Sequence, residues 1–169
     1  METKSRLFKA AVLTASDKGS RGEREDKSGK IIIDILKGGP FEIVHYEMIP
    51  DDFVMIKERL IKFCDELKVD LVLTTGGTGF SRRDLTPEAT LEVIEREVPG
   101  IPEAMRAEGF KKTKRAMLSR GIAGLRGETL IINLPGSSRG ARESLEAIID
   151  ELPHGLEMFE GGEHKEKFI

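Results

Sequence analysis

Apolar residues along this chain follow two patterns that alternate. Short, nearly continuous apolar runs, typical of buried strands, occupy residues 8–14, 42–49, 71–74 and 129–134. Between them, apolar residues recur at three- and four-residue spacing, which is typical of helices with one buried face. Alternating strands and helices favour a parallel sheet that is covered on both faces. We therefore expect a three-layer α/β sandwich with a mostly parallel sheet, formed by residues 1–169 as a single domain.

Local signals set the expected bounds of the helices. A loop at residues 16–27 is expected to precede a helix that Ser28 caps and that runs to Lys37. Further helices are expected from Asp51 to about Leu67, from Thr86-Pro87 with Leu91, Ile94 and Val98 on the buried face, from Pro102 to about Lys114, and around residues 145–152. Pro153 is expected to end the last helix before a polar tail at residues 161–167. Two strands, at residues 123–126 and 129–134, are expected to flank a turn at Gly127-Glu128.

The composition is typical of a globular protein and excludes several classes. The 169 residues are 38% hydrophobic and 34% charged with a net charge of -3, so neither disorder nor a basic nucleic-acid-binding surface is expected. No apolar run approaches the roughly 20 residues of a membrane span, and the first residues lack the apolar centre of a signal peptide. We expect a cytoplasmic protein without a membrane or nucleic-acid partner. The near absence of amide side chains, with Asn133 the single asparagine and no glutamine, is associated with thermophilic sources.

Nucleophilic and zinc-dependent chemistry finds little support in the sequence. Cys64 falls on an apolar helix face, where it is expected to be a core residue. The three histidines are far apart and show no ligand spacing, so a zinc site is not expected. No serine lies in a G-x-S-x-G turn with suitable partner residues, which argues against acyl transfer.

The most informative segment is the glycine-rich loop at residues 74–79, directly after a buried strand. Its glycines, Gly76, Gly77 and Gly79, remove side-chain bulk, so that backbone N–H groups can converge on an anion. Thr75 and Thr78 add hydroxyl donors. The spacing matches neither a dinucleotide fingerprint nor a P-loop. A phosphate site and a plain strand-to-helix turn both remain open on this composition alone.

Two aspartates follow strands on the same expected edge of the sheet. Asp51 comes after Pro50, and Asp84 precedes the helix that begins near Thr86. Each is also suited to stabilising a helix amino terminus, and singly neither requires a catalytic role. If the strands are parallel neighbours, both carboxylates emerge beside the glycine loop, where they would hold Mg²⁺ between phosphates.

A third loop, at residues 133–138, again ends a strand and opens a helix. Its N–H groups would point outward at a helix amino terminus and are suited to a second phosphate or a nucleoside. Ser137 and Ser138 are equally suited to ordinary helix capping. Among the arginines that would neutralise phosphate charge, namely Arg82, Arg83, Arg120 and Arg139, we favour Arg120.

These segments together resemble the molybdopterin adenylyltransferase family, which includes MogA- and MoaB-type proteins and the gephyrin G domain. The resemblance rests on residues 74–90, which run from Thr-Thr-Gly-Gly-Thr-Gly through Asp84 to Thr-Pro-Glu-Ala-Thr. It extends over nearly the whole chain through Ala15-Ser16-Asp17 with Asp26, Ile49-Pro50-Asp51, Pro99-Gly100 with Glu103 and Met105-Arg106, Met117-Leu118-Ser119-Arg120, and Ile132-Asn133-Leu134-Pro135-Gly136.

The resemblance implies a molybdopterin-binding-domain fold and a Mg-ATP-dependent reaction in molybdenum cofactor biosynthesis. The terminal phosphate of molybdopterin would attack the α-phosphate of ATP, giving adenylyl-molybdopterin and pyrophosphate. Asp51 and Asp84 would be catalytic residues and metal ligands. The implied molybdopterin-binding residues are Thr75, Gly76, Gly77, Thr78, Gly79, Glu103, Ser119 and Arg120, and the implied nucleotide-binding residues are Ser16, Asn133, Pro135, Gly136 and Ser137. It also implies a homo-oligomer, trimeric or hexameric, and a molybdenum-insertion protein as a partner.

One departure keeps a second function open. After Pro135-Gly136 this chain has Ser137-Ser138-Arg139, where many adenylyltransferases of the family place another proline. Serine there is similar to the MoaB-type branch, which favours a non-catalytic protein that binds or carries molybdopterin. Arg83, Thr86-Pro87 and Met117-Leu118-Ser119-Arg120 favour the adenylyltransferase. A generic nucleotide hydrolase is a third alternative.

Overall fold

The computed structural model describes residues 6–161, in which strands and helices alternate along most of the chain. The strands are β1 (Phe8–Ala15), β2 (Phe41–Ile49), β3 (Leu71–Thr75), β4 (Arg96–Glu97), β5 (Ala123–Arg126) and β6 (Thr129–Leu134). The α-helices are α1 (Asp17–Ser20), α2 (Lys27–Lys37), α3 (Phe53–Ile61), α4 (Thr86–Val93), α5 (Gly100–Lys112), α6 (Ser138–Glu146) and α7 (Leu152–Glu157). A π-helical turn at Lys62–Glu66 continues α3, and 3-10 turns lie at Lys114–Leu118, Ile149–Glu151 and Met158–Glu160.

The strands form one sheet in the order β2-β1-β3-β6-β5-β4. The first four strands of this order are parallel, and β5 and β4 are antiparallel to their neighbours. The expected hairpin between β5 and β6 is present, and Gly127 in its turn adopts a φ of +54°. The mostly parallel sheet predicted from the sequence is thereby confirmed.

Alternate residues of the central strands point to opposite faces of the sheet and into two separate cores. In β1, Ala10 and Val12 pack with Ile32 of α2 and Leu145 of α6, whereas Leu13 packs with Leu60 of α3. The two-residue side-chain period of a strand therefore supplies both faces from one apolar run. Helices cover both faces, which confirms the three-layer arrangement.

Parallel strands direct their carboxyl ends to one edge, which is where open α/β sheets bind ligands. The loops after β1, β2, β3 and β6 all begin at this edge, starting with Ser16, Pro50, Gly76 and Pro135. The glycine loop, Asp51 and the Pro135-Gly136 turn consequently share one end of the molecule. None of the helices within residues 6–161 has the length and apolar character needed to cross a membrane.

The region between β1 and α2 differs from its predicted form. The expected loop at residues 16–27 contains α1, and Ser16 caps that helix by accepting a hydrogen bond from Gly19 N at 3.0 Å. Asp26, not Ser28, caps α2 by accepting from Gly29 N at 2.9 Å. Ser28 lies inside the helix and donates instead to Gly136 O at 2.7 Å, so the prediction for Ser28 was wrong.

Helix α4 is shorter than predicted and buries a different face. Leu91, expected in the core, is 47% exposed, while Ala89, Thr90 and Val93 are buried. The helix ends at Val93 because the backbone that follows is extended. This backbone leads into β4, which pairs with β5. Because threonines lie on the buried face of α4, the spacing of apolar residues does not show which face of the helix is buried. The apolar pattern therefore predicted Leu91, wrongly, as a core residue.

The remaining helices agree with prediction only in part. α5 begins at Gly100 rather than Pro102, and the last predicted helix is divided into α6, a 3-10 turn and α7. Pro153 lies in the first turn of α7, where its missing N–H costs nothing, and does not end a helix. Of the predicted polar tail, residues 162–167 lie outside the described residues.

A buried polar network joins the centre of the sheet to α4. The Asn133 side chain, 1% exposed, donates to the hydroxyls of Thr74 and Thr90, each at 3.0 Å, and accepts from Ile122 N at 3.2 Å. Thr90 in turn donates to Thr86 O at 2.8 Å. A single amide therefore ties together β3, β6, α4 and the segment before β5.

Replacing Asn133 with alanine is expected to lower the free energy of unfolding by about 2–3 kcal/mol, because it leaves buried hydrogen-bonding groups without a partner. Urea unfolding followed by circular dichroism measures this loss. The exposed Glu128 on the β5-β6 turn provides the control, and Glu128→Ala should change the unfolding free energy by less than about 0.5 kcal/mol. Equal stability of the two variants would contradict the assigned role of Asn133.

Candidate active site

A cleft of about 860 Å³ opens at the carboxyl edge of the parallel strands. It lies between the loops that follow β1, β2, β3 and β6, so its walls come from four distant parts of the sequence. The predicted site residues that line it are Ser16, Asp51, Thr75, Gly76, Gly77, Asp84, Gly136 and Ser137. The structure therefore brings together both aspartates and residues of both predicted phosphate loops.

Gly76 is where the backbones of these loops meet. Its φ of +94° is one that side-chain-bearing residues rarely adopt, and a Cβ there would lie 2.2 Å from Ala15 O. A Cβ on Gly136 would lie 3.2 Å from the Gly76 Cα, so the β6 loop packs directly on the glycine loop. The Thr75 hydroxyl, fully buried, holds this contact by donating to Pro135 O at 2.7 Å.

Asp51 is held by the loop after β1. Its Oδ2 accepts a hydrogen bond from Asp17 N at 2.9 Å. Burial raises the pKa of the Asp51 carboxyl above its ordinary value, and repulsion from Asp17 and Asp84 raises it further against the hydrogen bond from Asp17 N. Asp52, rather than Asp51, caps α3. The capping alternative for Asp51 is therefore wrong.

Asp84 faces the same cleft from the end of the glycine loop. Its Oδ2 accepts from Ser81 N at 2.8 Å. Within residues 6–161, no hydrogen bond reaches the Oδ1 of Asp84 or of Asp51. Each carboxylate thus has one oxygen fixed by the backbone and one available to a ligand.

The opposite wall of the cleft has groups suited to anions. Ser137 caps α6 by accepting from Gly140 N at 3.0 Å, and Gly136, Ser137 and Ser138 line the cleft at this helix amino terminus. The partial positive charge of a helix amino terminus favours phosphate. Arg24 and Lys27 add full positive charges to the lining.

Arg24 and Lys27 were missed by the sequence analysis, which placed them in an unremarked polar loop. Asp26 between them fixes that loop against the sheet by accepting from the hydroxyls of Thr14, at 2.7 Å, and Tyr46. Burial, together with the hydrogen bond to Asp26, raises the pKa of Tyr46. The density of charge just before α2 was the available signal, but sequence alone does not show which way the loop folds.

Arg120, favoured as a phosphate ligand, holds the end of the glycine loop. It donates from Nε to Gly79 O at 2.8 Å and from Nη2 to Asp84 O at 2.6 Å, and it pairs with the Glu88 carboxylate. Its backbone N–H donates to Thr78 O at 3.0 Å. Arg120, Thr78 and Gly79 do not line the cleft, and Arg120 instead fixes the segment that presents Asp84.

Four other predicted residues also lie outside the cleft. Asn133 is enclosed in the network described above. Ser119 and Pro135 line an adjoining cavity of about 200 Å³, which includes Arg106 and Arg115 and shares Ser137 with the cleft. Glu103 is exposed on α5 and lines neither cavity. Their roles toward ligands stay predictions.

The residues present fit a magnesium ion bound together with phosphates. Among the described residues, no group of three or more acidic, histidine or cysteine side chains is arranged to hold a metal without help. Mg²⁺ is commonly bound by one or two carboxylates, with water and substrate phosphates completing its coordination. The available Oδ1 atoms of Asp51 and Asp84, in a cleft lined by both predicted phosphate loops, would supply that donor set.

Comparison with known proteins agrees with this fold. Residues 11–154 match the family described as probable molybdopterin binding domain. A protein named molybdopterin adenylyltransferase from Helicobacter pylori is 46% identical over 153 residues, which are 89% of this chain and 86% of that protein. The Escherichia coli protein of the same name is 38% identical over 156 residues, covering 88% of this chain and 80% of its own length.

Among solved structures, the molybdopterin biosynthesis enzyme MoaB from Thermus thermophilus is 55% identical to this chain. The two superpose with a TM-score of 0.87, over 92% of this chain and 98% of the MoaB chain. The fold and the cleft thus define an α/β protein of the molybdopterin-binding class. This chain belongs to the probable molybdopterin binding domain family.

The Gly76 contact predicts a large effect from one methyl group. Gly76→Ala is expected to lower the free energy of unfolding by about 2 kcal/mol, because the added carbon collides with Ala15 O in a strained backbone conformation. Gly155→Ala is the matched control, since a Cβ on this α7 glycine would meet nothing within 4 Å. Chemical denaturation of both variants tests the contact, and a Gly76→Ala protein as stable as Gly155→Ala would refute it.

Asp51 is expected to reduce stability at neutral pH. Its pKa is raised in the folded protein, so the folded state binds more protons than the unfolded state, and stability falls as pH rises through the folded pKa. Asp51→Asn should therefore raise the free energy of unfolding at pH 7 by about 1 kcal/mol. The gain should shrink as pH approaches the ordinary aspartate pKa of about 3.9.

Thermal unfolding at several pH values measures this effect. Asp52→Asn is the control, because it removes a neighbouring charge while asparagine still caps α3, and it should change stability little. Loss of stability in Asp51→Asn at pH 7 would show that the carboxylate is structural instead.

Proposed function

We propose that this chain is a molybdopterin adenylyltransferase of molybdenum cofactor biosynthesis, which uses ATP and Mg²⁺. The observation that carries the proposal is the cleft in which Asp51 and Asp84 face the glycine loop and the amino terminus of α6. The names of the relatives at 46% and 38% identity support the choice of substrate.

In the proposed reaction, an oxygen of the terminal molybdopterin phosphate bonds to the α-phosphorus of ATP. The bond between that phosphorus and the oxygen bridging to the β-phosphate breaks, and pyrophosphate leaves with the electron pair. The attacking phosphate is already ionised near neutral pH, so the step needs no histidine base. Positioning and charge neutralisation supply the catalysis.

The residues of the cleft divide this work. The N–H groups of the glycine loop and of the α6 amino terminus would bind phosphate oxygens, and Arg24 and Lys27 would offset their charge. Asp51 and Asp84 would hold Mg²⁺, which supplies Lewis-acid stabilisation of the charge that develops on the phosphates. The backbone hydrogen bonds to both Oδ2 atoms keep the Oδ1 atoms directed for that purpose.

The contact between Gly76 and Gly136 bears on where the two substrates lie. In the proposed division of the loops, residues 76–79 hold the pterin phosphate and the Pro135-Gly136 turn lies nearer the nucleotide. Because a Cβ on Gly136 would lie 3.2 Å from Gly76 Cα, the two loops border one space, in which phosphates of both substrates would meet. The adjoining cavity with Ser119 offers room for the ring system of one substrate.

The proposal predicts that the protein releases pyrophosphate when it is incubated with molybdopterin, ATP and magnesium. Asp84→Asn should lower the rate by at least about 100-fold while the circular dichroism spectrum is unchanged, because the phosphates lose a metal ligand. Asp150→Asn removes an exposed aspartate outside the cleft and should retain full activity. An active Asp84→Asn protein would remove the metal argument.

A second candidate is a non-catalytic MoaB-type protein that carries molybdopterin. Ser137-Ser138-Arg139, where many adenylyltransferases of the family have a further proline, favours this alternative. Calorimetry of molybdopterin binding, combined with the measurement of pyrophosphate release, separates the two. A carrier would bind molybdopterin but would release no pyrophosphate from ATP. We also propose a trimer or hexamer, which light scattering tests, and transfer of the product to a molybdenum-insertion protein.

A further inference from the structure

Asp17 and Asp51 are joined by a reciprocal pair of hydrogen bonds. Asp17 N donates to Asp51 Oδ2 at 2.9 Å, and Asp51 N donates to Asp17 Oδ1 at 3.0 Å. The two residues stand at the starts of the loops after β1 and β2. Each carboxylate therefore fixes the backbone of the other loop, and the pair acts as a clasp between them.

Arg83, in the loop between β3 and α4, binds the Asp17 carboxylate of this clasp. Its Nη2 donates to Asp17 Oδ1 at 2.8 Å and its Nε donates to Asp17 Oδ2 at 3.0 Å, so the guanidinium covers both carboxylate oxygens. Arg83 is the immediate neighbour of Asp84. The ion pair thus connects the segment that carries Asp84 to the clasp that orients Asp51, and these two aspartates are the proposed metal ligands.

We propose that Arg83 is a positioning residue that directs the Asp51 carboxylate by holding Asp17, and that it does not itself bind substrate phosphate. The inference rests on the proposed function for its kinetic consequence, but the contacts on which it depends do not.

Charge explains why the clasp needs a cation. Asp17, Asp51 and Asp84 lie close enough for the first and last to repel the negative charge of Asp51. Without Arg83, the Asp17 carboxylate would be driven away from Asp51, and the hydrogen bond from Asp51 N would weaken. The two-point geometry of a guanidinium holds a carboxylate in one orientation, which a lysine point charge does not.

Because the Arg83 side chain is exposed, its loss is expected to affect the geometry of the site and not the overall stability. The Arg83 side chain is 59% exposed, and exposed ion pairs add little to folding free energy. Loss of Arg83 should therefore leave the melting temperature nearly unchanged. It should instead raise the magnesium concentration that gives half the maximal rate and lower kcat by about 10-fold, as is usual when the support of a metal ligand is removed.

A double-mutant cycle separates positioning from direct phosphate binding. If Arg83 acts through Asp17, Arg83→Ala and Asp17→Ala each lower kcat, and Arg83→Ala has no further effect in the Asp17→Ala background. If Arg83 binds phosphate, it still acts when Asp17 is absent, and the cycle gives a further loss with a raised KM for ATP. That second result would overturn the inference.

Amide hydrogen exchange measured by NMR tests the clasp without any substrate. Arg83→Ala should make the Asp17 and Asp51 amides exchange about 10-fold faster, while global protection is unchanged. Arg82→Ala is the matched control, because this adjacent arginine is exposed and forms no ion pair within residues 6–161. Unchanged exchange in Arg83→Ala would overturn the inference, whereas absence of pyrophosphate release by the unmodified protein would refute only the proposed function.

Discussion

The site depends on one close contact between backbones, at Gly76. There the end of β1 and the loops after β3 and β6 approach so closely that no side chain fits, and the Thr75 hydroxyl stabilises the contact by donating to Pro135 O. Parallel strands bring the loops to one edge of the sheet, but adjacency alone would leave space between them. The contact brings three neighbouring segments together at one side of the cleft.

The second constraint is electrostatic. Asp51 is partly buried beside two other carboxylates, an arrangement that raises its pKa and disfavours its charged form. The structure offsets this with the backbone N–H of Asp17, which donates to Asp51, and with the guanidinium of Arg83 on Asp17. Such a conflict between stability and charge is typical of functional sites.

The sequence predicts the layers of the fold well because apolar periodicity reports burial directly. It fails where polar residues are buried. On α4 the core-facing side includes threonines, and at Asn133 a buried amide forms hydrogen bonds within the core. Asp51, Asp84 and Gly76 were predicted because strand ends and glycines leave local signals. The part played by Arg120 was not, since the partners of a long side chain depend on contacts between segments far apart in the chain.

The central claim is that Asp51 and Asp84 together hold a metal ion against phosphates bound by the glycine loop and the α6 amino terminus. A crystal structure of the protein with magnesium and a non-hydrolysable ATP analogue tests it most directly. The account predicts one metal ion in contact with both carboxylates and with phosphate oxygens that accept hydrogen bonds from residues 76–77 or 136–138. Phosphates bound elsewhere, or a metal that touches neither aspartate, would contradict it.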